Sequence, residues 1–187
     1  MVNHHLEQTA ISLYLEQIAN RGERILSDLC DFKNGKTKPK NSGSIPIYGG
    51  NGILGYTDET NSDNVVIIGR VGAYCGNVFL EPSKCWISDN AIQSKSKICD
   101  DQFYDYLMLQ DLELGKNRTG SGQPLLKQQT LNSITTKALE NDEIIKFNHN
   151  IKPVFEKIQY NEYENKLFRE VRDTLLPKLL SGEITID

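Results

Sequence analysis

The side chains best placed to do chemistry in this 187-residue chain are cations, gathered in two stretches free of Asp and Glu. Residues 32–57 hold Lys33, Lys36, Lys38 and Lys40; residues 114–139 hold Lys116, Arg118, Lys127 and Lys137. Each stretch carries a formal charge of +4 in a chain whose net charge is −4. Both are rich in Gly, Pro, Ser and Asn, so the cations sit on loops. Lysines on loops neutralise phosphates, while Arg, Asn and Gln pair bidentately with base edges. The candidates for a nucleic-acid surface are Lys36, Lys38, Lys40, Tyr48, Asn51, Arg70, Lys116, Arg118 and Gln123. Asn51, Arg70 and Gln123 are the candidates for base edges, because they stand at Gly-rich turns where a backbone can approach DNA closely. An ordinary solvated loop also collects lysine. The two stretches act together only if the fold brings them to one place.

Other chemistries are poorly supplied. Gly50-Asn-Gly-Ile-Leu-Gly55 has the spacing of a dinucleotide-binding turn, but Tyr56 and Thr57 follow it and no helix opens on the third glycine. A hairpin accounts for those glycines. Glu156-Lys157 and Glu164-x-Lys166 suggest an acid–lysine nuclease pattern, yet both fall on a helix where such charge pairs are ordinary. Cys30, Cys75, Cys85 and Cys99 form no CxxC pair, and the histidines are His4, His5 and His149, so no metal site is expected. There is neither a phosphate loop nor an Asn-Pro-Pro-Tyr sequence of an amino-methyltransferase. The longest apolar run, Val65–Ile68, is too short for a bilayer, and the expectation is a soluble, cytoplasmic, non-enzymatic protein.

The elements that must position these residues can be read in order. Helical spacing runs over 6–19 and stops at Asn20-Arg21-Gly22; a short helix or turn follows at 25–30, and 32–44 reads as loop. Strands are predicted at 45–48, with Pro46 pushing that strand to a sheet edge, and at 53–57, 65–70, 77–80, 85–88 and 91–94. A helix is predicted over 101–114, capped by Asp100 or Asp101, then a short helix at 127–131 and a closing strand at 134–136. The class is α+β: a loop-rich, mainly β domain with flanking helices, followed by a long helix. The boundaries are 1–24 for an N-terminal helix, 25–140 for the domain and 141–187 for the arm.

The arm is the most regular stretch. Ile144, Ile151 and Ile158 recur at one heptad position and Phe147, Val154, Phe168 and Leu175 at the other, interrupted by Asn161, Asn165 and Arg172. Asn141 or Asp142 can cap its start, and bends are expected near Pro153 and Pro177. Forty helical residues span about 60 Å, too long for one small domain to cover, so a partner helix is expected through these seven apolar residues. A helix docked on its own domain is the plainer alternative.

Four segments, in this order, carry a resemblance: Ile45-Pro-Ile-Tyr-Gly-Gly-Asn-Gly-Ile-Leu-Gly-Tyr56, Ile67-Ile-Gly-Arg-Val-Gly72, Gly120-Ser-Gly-Gln-Pro124 and Leu175-Leu-Pro-Lys-Leu-Leu-Ser-Gly182. Leu26-Ser-Asp-Leu29 with Lys33-Asn-Gly-Lys36 fits the start of the same unit. Together they resemble a target-recognition domain and its following helix from the specificity subunit of type I restriction–modification systems. The resemblance covers about residues 25 to 182. It implies a non-catalytic module that reads double-stranded DNA and docks methyltransferase subunits, with S-adenosylmethionine bound in those partners and none in this chain. It also implies association with a translocating nuclease subunit in full complexes. Family members usually carry two domain-plus-helix units, whereas this chain has one, so a homodimer with antiparallel arms is expected. A scaffold or inhibitor that joins such a complex through its arm without reading DNA is the alternative.

Overall fold

The computed structural model describes residues 2–117, 124–181 and 183–184. Helix α1 spans Val2–Ile18, and its Ala10, Tyr14 and Ile18 are buried. Strand β1 (Glu23–Ile25), helix α2 (Leu26–Leu29) and strand β2 (Cys30–Asn34) follow closely. Next come β3 (Ile45–Gly49), β4 (Gly52–Thr57), β5 (Val65–Gly69), β6 (Val78–Glu81), β7 (Trp86–Ile87) and β8 (Ala91–Ser96). Helix α3 (Phe103–Asp111), helix α4 (Gln128–Ser133), strand β9 (Thr135–Lys137) and helix α5 (Asn141–Leu180) complete the order.

The strands form a four-stranded sheet in the order β2-β8-β5-β6, a three-stranded sheet β4-β3-β7 and a ribbon β1-β9. The larger sheet is antiparallel, and β3 pairs antiparallel with β4 but parallel with β7. Every residue of β5 is buried. Alternate side chains of a strand point to opposite faces, and Val66 and Ile68 enter a large core with the helices while Val65 and Ile67 enter a smaller one. The smaller core also contains Tyr48, Cys85, Ile87 and Ala91, with Phe79 against it. An unbroken apolar run is the pattern of a strand covered on both sides.

Three sequence expectations change here. The 32–44 loop begins with a strand: in β2, Cys30 and Phe32 are buried while Asp31, Lys33 and Asn34 are exposed. That alternation has period two, but the charged outward residues disguise it. Second, β3 lies in the middle of its sheet, not at an edge. Pro46 fits because β7 reaches only Ile47 and Tyr48, leaving no neighbour on that side to need its missing amide. Third, the cap of α5 is Glu140 in a capping box with Glu143, and the Glu140 amide donates to the Glu143 carboxylate at 3.2 Å. The helix continues through both Pro153 and Pro177.

The first part of α5 closes the large core. Ile144, Phe147, Ile151, Phe155 and Ile158 are buried, and Val154 packs half-buried beside them. Phe155 stacks on Phe103 with ring centroids 4.7 Å apart, while Phe147 meets Tyr14 and Tyr104 edge-on. Asn148 is the one buried polar residue of this face. Its carbonyl oxygen accepts from the Tyr104 amide (2.8 Å), and its amide donates to the Asp101 carbonyl (3.1 Å). It thereby caps, from another helix, the start of α3, whose own N-cap Gln102 makes no side-chain cap. Ile144, Phe147, Ile151 and Ile158, expected at a dimer interface, are thus spent on this chain's own α1 and α3. A stripe of period 3.6 does not say whether its partner lies in the same chain. Phe168 and Leu175 differ: they are 63% and 42% exposed.

Two outcomes follow. Ile151→Lys will unfold the domain, because Ile151 is buried and the ammonium would have no partner there; loss of the cooperative thermal transition checks this. Asp105, buried in α3, accepts from the Cys30 thiol at 3.2 Å, and burial pushes its carboxyl up to about 7. The folded state then keeps a proton that the unfolded chain releases near pH 4, so stability falls as pH rises from about 4 to 7 and levels off above. Asp105→Asn should remove that slope and gain up to the order of 4 kcal/mol above pH 7, read as the difference between variant and wild-type denaturation curves.

Candidate nucleic-acid interface

The turn joining β3 to β4 is Gly50-Asn51, closed by Gly52 at φ +91°, a backbone conformation that suits glycine. Asn51 is exposed at its tip. The turn stands against the end of β5. A Cβ on Gly69 would overlap the Tyr74 carbonyl oxygen and stand 2.8 Å from that of Gly50. The two turns meet so closely because neither Gly50 nor Gly69 carries a side chain.

Beyond Gly69 the backbone is held by loops from both directions. The Arg70 amide donates to Asn90 (2.9 Å), the Arg70 carbonyl accepts from the Leu126 amide (2.9 Å), and the Gly72 amide donates to Pro124 (2.9 Å). A 3-10 turn at Gly72–Tyr74 leads to Gly76, which packs against Gly115. The two cation stretches therefore do meet. Residues 50–52 belong to the first, 114–117 and 124–126 to the second, and the turn 69–76 joins them.

The individual candidates divide. Lys36, Lys38 and Lys40 are exposed on the strap between β2 and β3. The Lys36 amide donates to Ile87 (3.0 Å), which ties the strap to the sheet, and Lys38 Nζ lies 3.5 Å from the Leu54 carbonyl oxygen. Arg70 is half-buried, and its Nη1 donates to the Asp89 carbonyl (3.1 Å), holding the guanidinium at the turn. Lys116 is paired with Glu113, an acid one residue outside the second stretch, so its charge is compensated. Tyr48 lies inside the small core, with its hydroxyl donating to the Glu81 carboxylate at 2.9 Å. Burial, and then Glu81, push its ionisation well above the usual phenol range. It supports the turn from beneath, with most of its ring in the core. Arg118 and Gln123 lie outside the described residues.

Sequence reading passed over the exposed apolar residues at this end: Ile53, Leu54, Tyr56 and Tyr74. Their types fit a strand interior, and only burial distinguishes them. Among the described residues, no group of three or more His, Cys, Asp or Glu is placed to hold a metal ion, and no helix is long and apolar enough to cross a membrane.

Residues 22–152 match the family model of the type I restriction modification DNA specificity domain. The chain belongs to this family. The match starts just before β1 and ends within α5, taking in every loop described above. Over 80 residues the chain is 32% identical to the type I restriction enzyme EcoprrI specificity subunit of Escherichia coli, which is 42% of this chain and 20% of that protein. The fold resembles the S subunit of a type I restriction–modification system from M. genitalium, with a TM-score of 0.71 and 20% identity, over 95% of this chain and 54% of that one. It also resembles the HsdS subunit from Thermoanaerobacter tengcongensis, with a TM-score of 0.54 and 12% identity, over 98% and 52% of the two chains. The matched regions thus cover about half the length of these solved subunits and a fifth of the curated relative. The α+β architecture, a mixed-sheet domain followed by the 40-residue α5, is the architecture they share.

The close approach at Gly69 gives a test of the site's construction. Gly69→Ala must push the 49–52 turn off the 69–76 turn, and a loss of about 2 kcal/mol or more is expected. Chemical denaturation measures it. Gly22→Ala, where nothing lies within 4 Å, serves as the neutral control.

Proposed function

We propose that the chain is a DNA-reading specificity component of a type I restriction–modification system. It recognises one half of a bipartite target and docks methyltransferase subunits, which bring the S-adenosylmethionine. It contributes no catalysis itself, works in the cytoplasm and joins the nuclease–translocase subunit in the full assembly. The observation that carries this reading is the meeting of the two acid-free stretches around the Arg70 turn. Lys36, Lys38 and Lys40 form no ion pair among the described residues. Cations left unpaired on a strap beside exposed Asn51 suit a polyanion.

The second reading, a scaffold or inhibitor that does not read DNA, draws on the distal half of α5. Phe168, Val171 and Leu175 are exposed at helical spacing, remote in sequence from the loops. That face also suits a second copy of the chain. Two arms running antiparallel about a two-fold axis would place identical domains at opposite ends. The target would then be a palindrome split by a spacer, with half-site centres about 10 base pairs apart.

Gel shift with random-sequence duplex DNA, with and without methyltransferase subunits, separates the two readings: the scaffold gives no shift of its own and adds no sequence preference. Replacing Lys36, Lys38 and Lys40 together by Ala should flatten the salt dependence of binding by up to about three units of slope, and an unchanged slope removes the strap from the interface. Phe168→Lys with Leu175→Lys should halve the mass seen by light scattering and leave thermal unfolding intact, since both residues are exposed. A monomeric wild-type chain, or a methylation motif with two unrelated halves, would rule out the symmetric dimer.

A further inference from the structure

The β3–β4 hairpin carries a feature that phosphate contact leaves unexplained. Ile53 and Leu54 are consecutive and both exposed, at 49% and 45%. In a regular strand one of them would turn inward. The ladder shows why neither does: Tyr48 pairs with Ile53 and Ile47 with Gly55, so Leu54 is the extra residue of a β-bulge. A bulge re-aims a side chain, at a cost in regular pairing. Leu54 is then held by a space made for it. A Cβ on Gly49 would stand 2.5 Å from Leu54 Cδ1, so the leucine lies over the bare backbone of Gly49.

The surroundings of this aliphatic pair indicate its occupant. On one side Lys38 Nζ reaches the Leu54 carbonyl oxygen at 3.5 Å, on a strap that also exposes Lys36 and Lys40. On the other side lies the Gly50–Asn51 turn, which abuts Gly69 and the Arg70 turn. An apolar partner protein would have to desolvate those ammonium groups without pairing them. A nucleic-acid duplex supplies phosphates for the cations and stacked bases for the aliphatics.

We propose that Ile53 and Leu54 form an apolar wedge that enters a base step of the bound duplex, while Lys38 and its neighbours hold the adjoining phosphates. This rests on the DNA-reading function proposed above and adds a mode of recognition to it. Aliphatic side chains that part a base step unstack it and bend the duplex, so the wedge selects steps that open easily, such as pyrimidine–purine steps. Specificity at that step then comes from deformability and requires no hydrogen bond to a base edge.

The test uses the full chain on a pool of random-sequence duplexes, alone and with methyltransferase subunits, probed with permanganate, which attacks unstacked thymines. Bound wild-type protein should make thymines at one step per half-site reactive. Ile53→Ser with Leu54→Ser should return them to the level of free DNA and weaken binding roughly tenfold, with the salt slope unchanged. Lys38→Ala should do the reverse, lowering the slope by about one unit while thymine reactivity in the bound fraction persists. Comparing variant and wild type within the same complex removes any reactivity that the methyltransferase itself creates. Thymines that stay unreactive in the wild-type complex, or stay equally reactive in the double variant, overturn the wedge while leaving DNA reading intact. A double variant that binds DNA normally but no longer retains the methyltransferase makes the pair a protein contact and also overturns it. No shift by wild-type chain under either condition defeats the DNA-reading function itself. The double variant should still unfold cooperatively, because about half of each side chain is exposed and neither belongs to a core.

Discussion

The structure depends on one constraint: β5 has no exposed face. Val65, Val66, Ile67 and Ile68 cannot meet water without losing about 1.5–3 kcal/mol each, so a core must form on both sides of the strand. One side is closed by α1, α3 and the first part of α5, the other by the small sheet of β3, β4 and β7. This sandwiching fixes where β5 ends. The chain leaves the sheet at Gly69 into a space already occupied by the 49–52 turn, and close approach of bare backbones is the only packing that fits. The close packing of the 49–52 and 69–76 turns is thus a consequence of how the strand is buried.

Electrostatics follows from the same layout. The chain has four more acids than bases, which by itself argues against a polyanion partner. Acids border the loop end as well, with Asp89 exposed at the Arg70 turn and Asp58 bonded to Asn41. None is ion-paired with the strap lysines among the described residues. Several hold the chain together, as Glu143 does in pairing with Arg21 at 2.7 Å and Asp101 in pairing with Lys152 at 3.2 Å. The strap lysines stand outside such pairs, and Glu113 offsets one cation at the margin. Net charge describes the whole molecule; a ligand meets only the face it approaches.

Helix α5 divides into two functions along one continuous element. As far as Ile158 its apolar face is consumed by the large core, with Asn148 locking it to the start of α3. Beyond that the apolar residues are exposed and available to a partner. The orientation of the arm is therefore set by the domain that it also completes.

Most elements were legible in the sequence, because hydrophobic period and turn residues are local signals. The strands at 45–49, 52–57, 65–69 and 91–96 and the helices 103–111 and 141–180 lie within a few residues of where periodicity puts them. So was the family, through ordered glycine-rich segments. What sequence did not determine is anything that depends on which distant segment lies opposite. The alternation in β2 was masked by its outward charges, and Pro46 reads as an edge signal until the shortness of β7 is known. Nothing local announces that the Tyr48 hydroxyl is held by Glu81, 33 positions away. The isoleucines of α5 carry the same stripe whether they face a partner chain or their own domain, and only the packing of α1 and α3 decided it. The meeting of the two cation stretches belongs to the same class. Sequence sets the period and charge of each segment; contact between segments far apart in the chain is settled by burial of the whole.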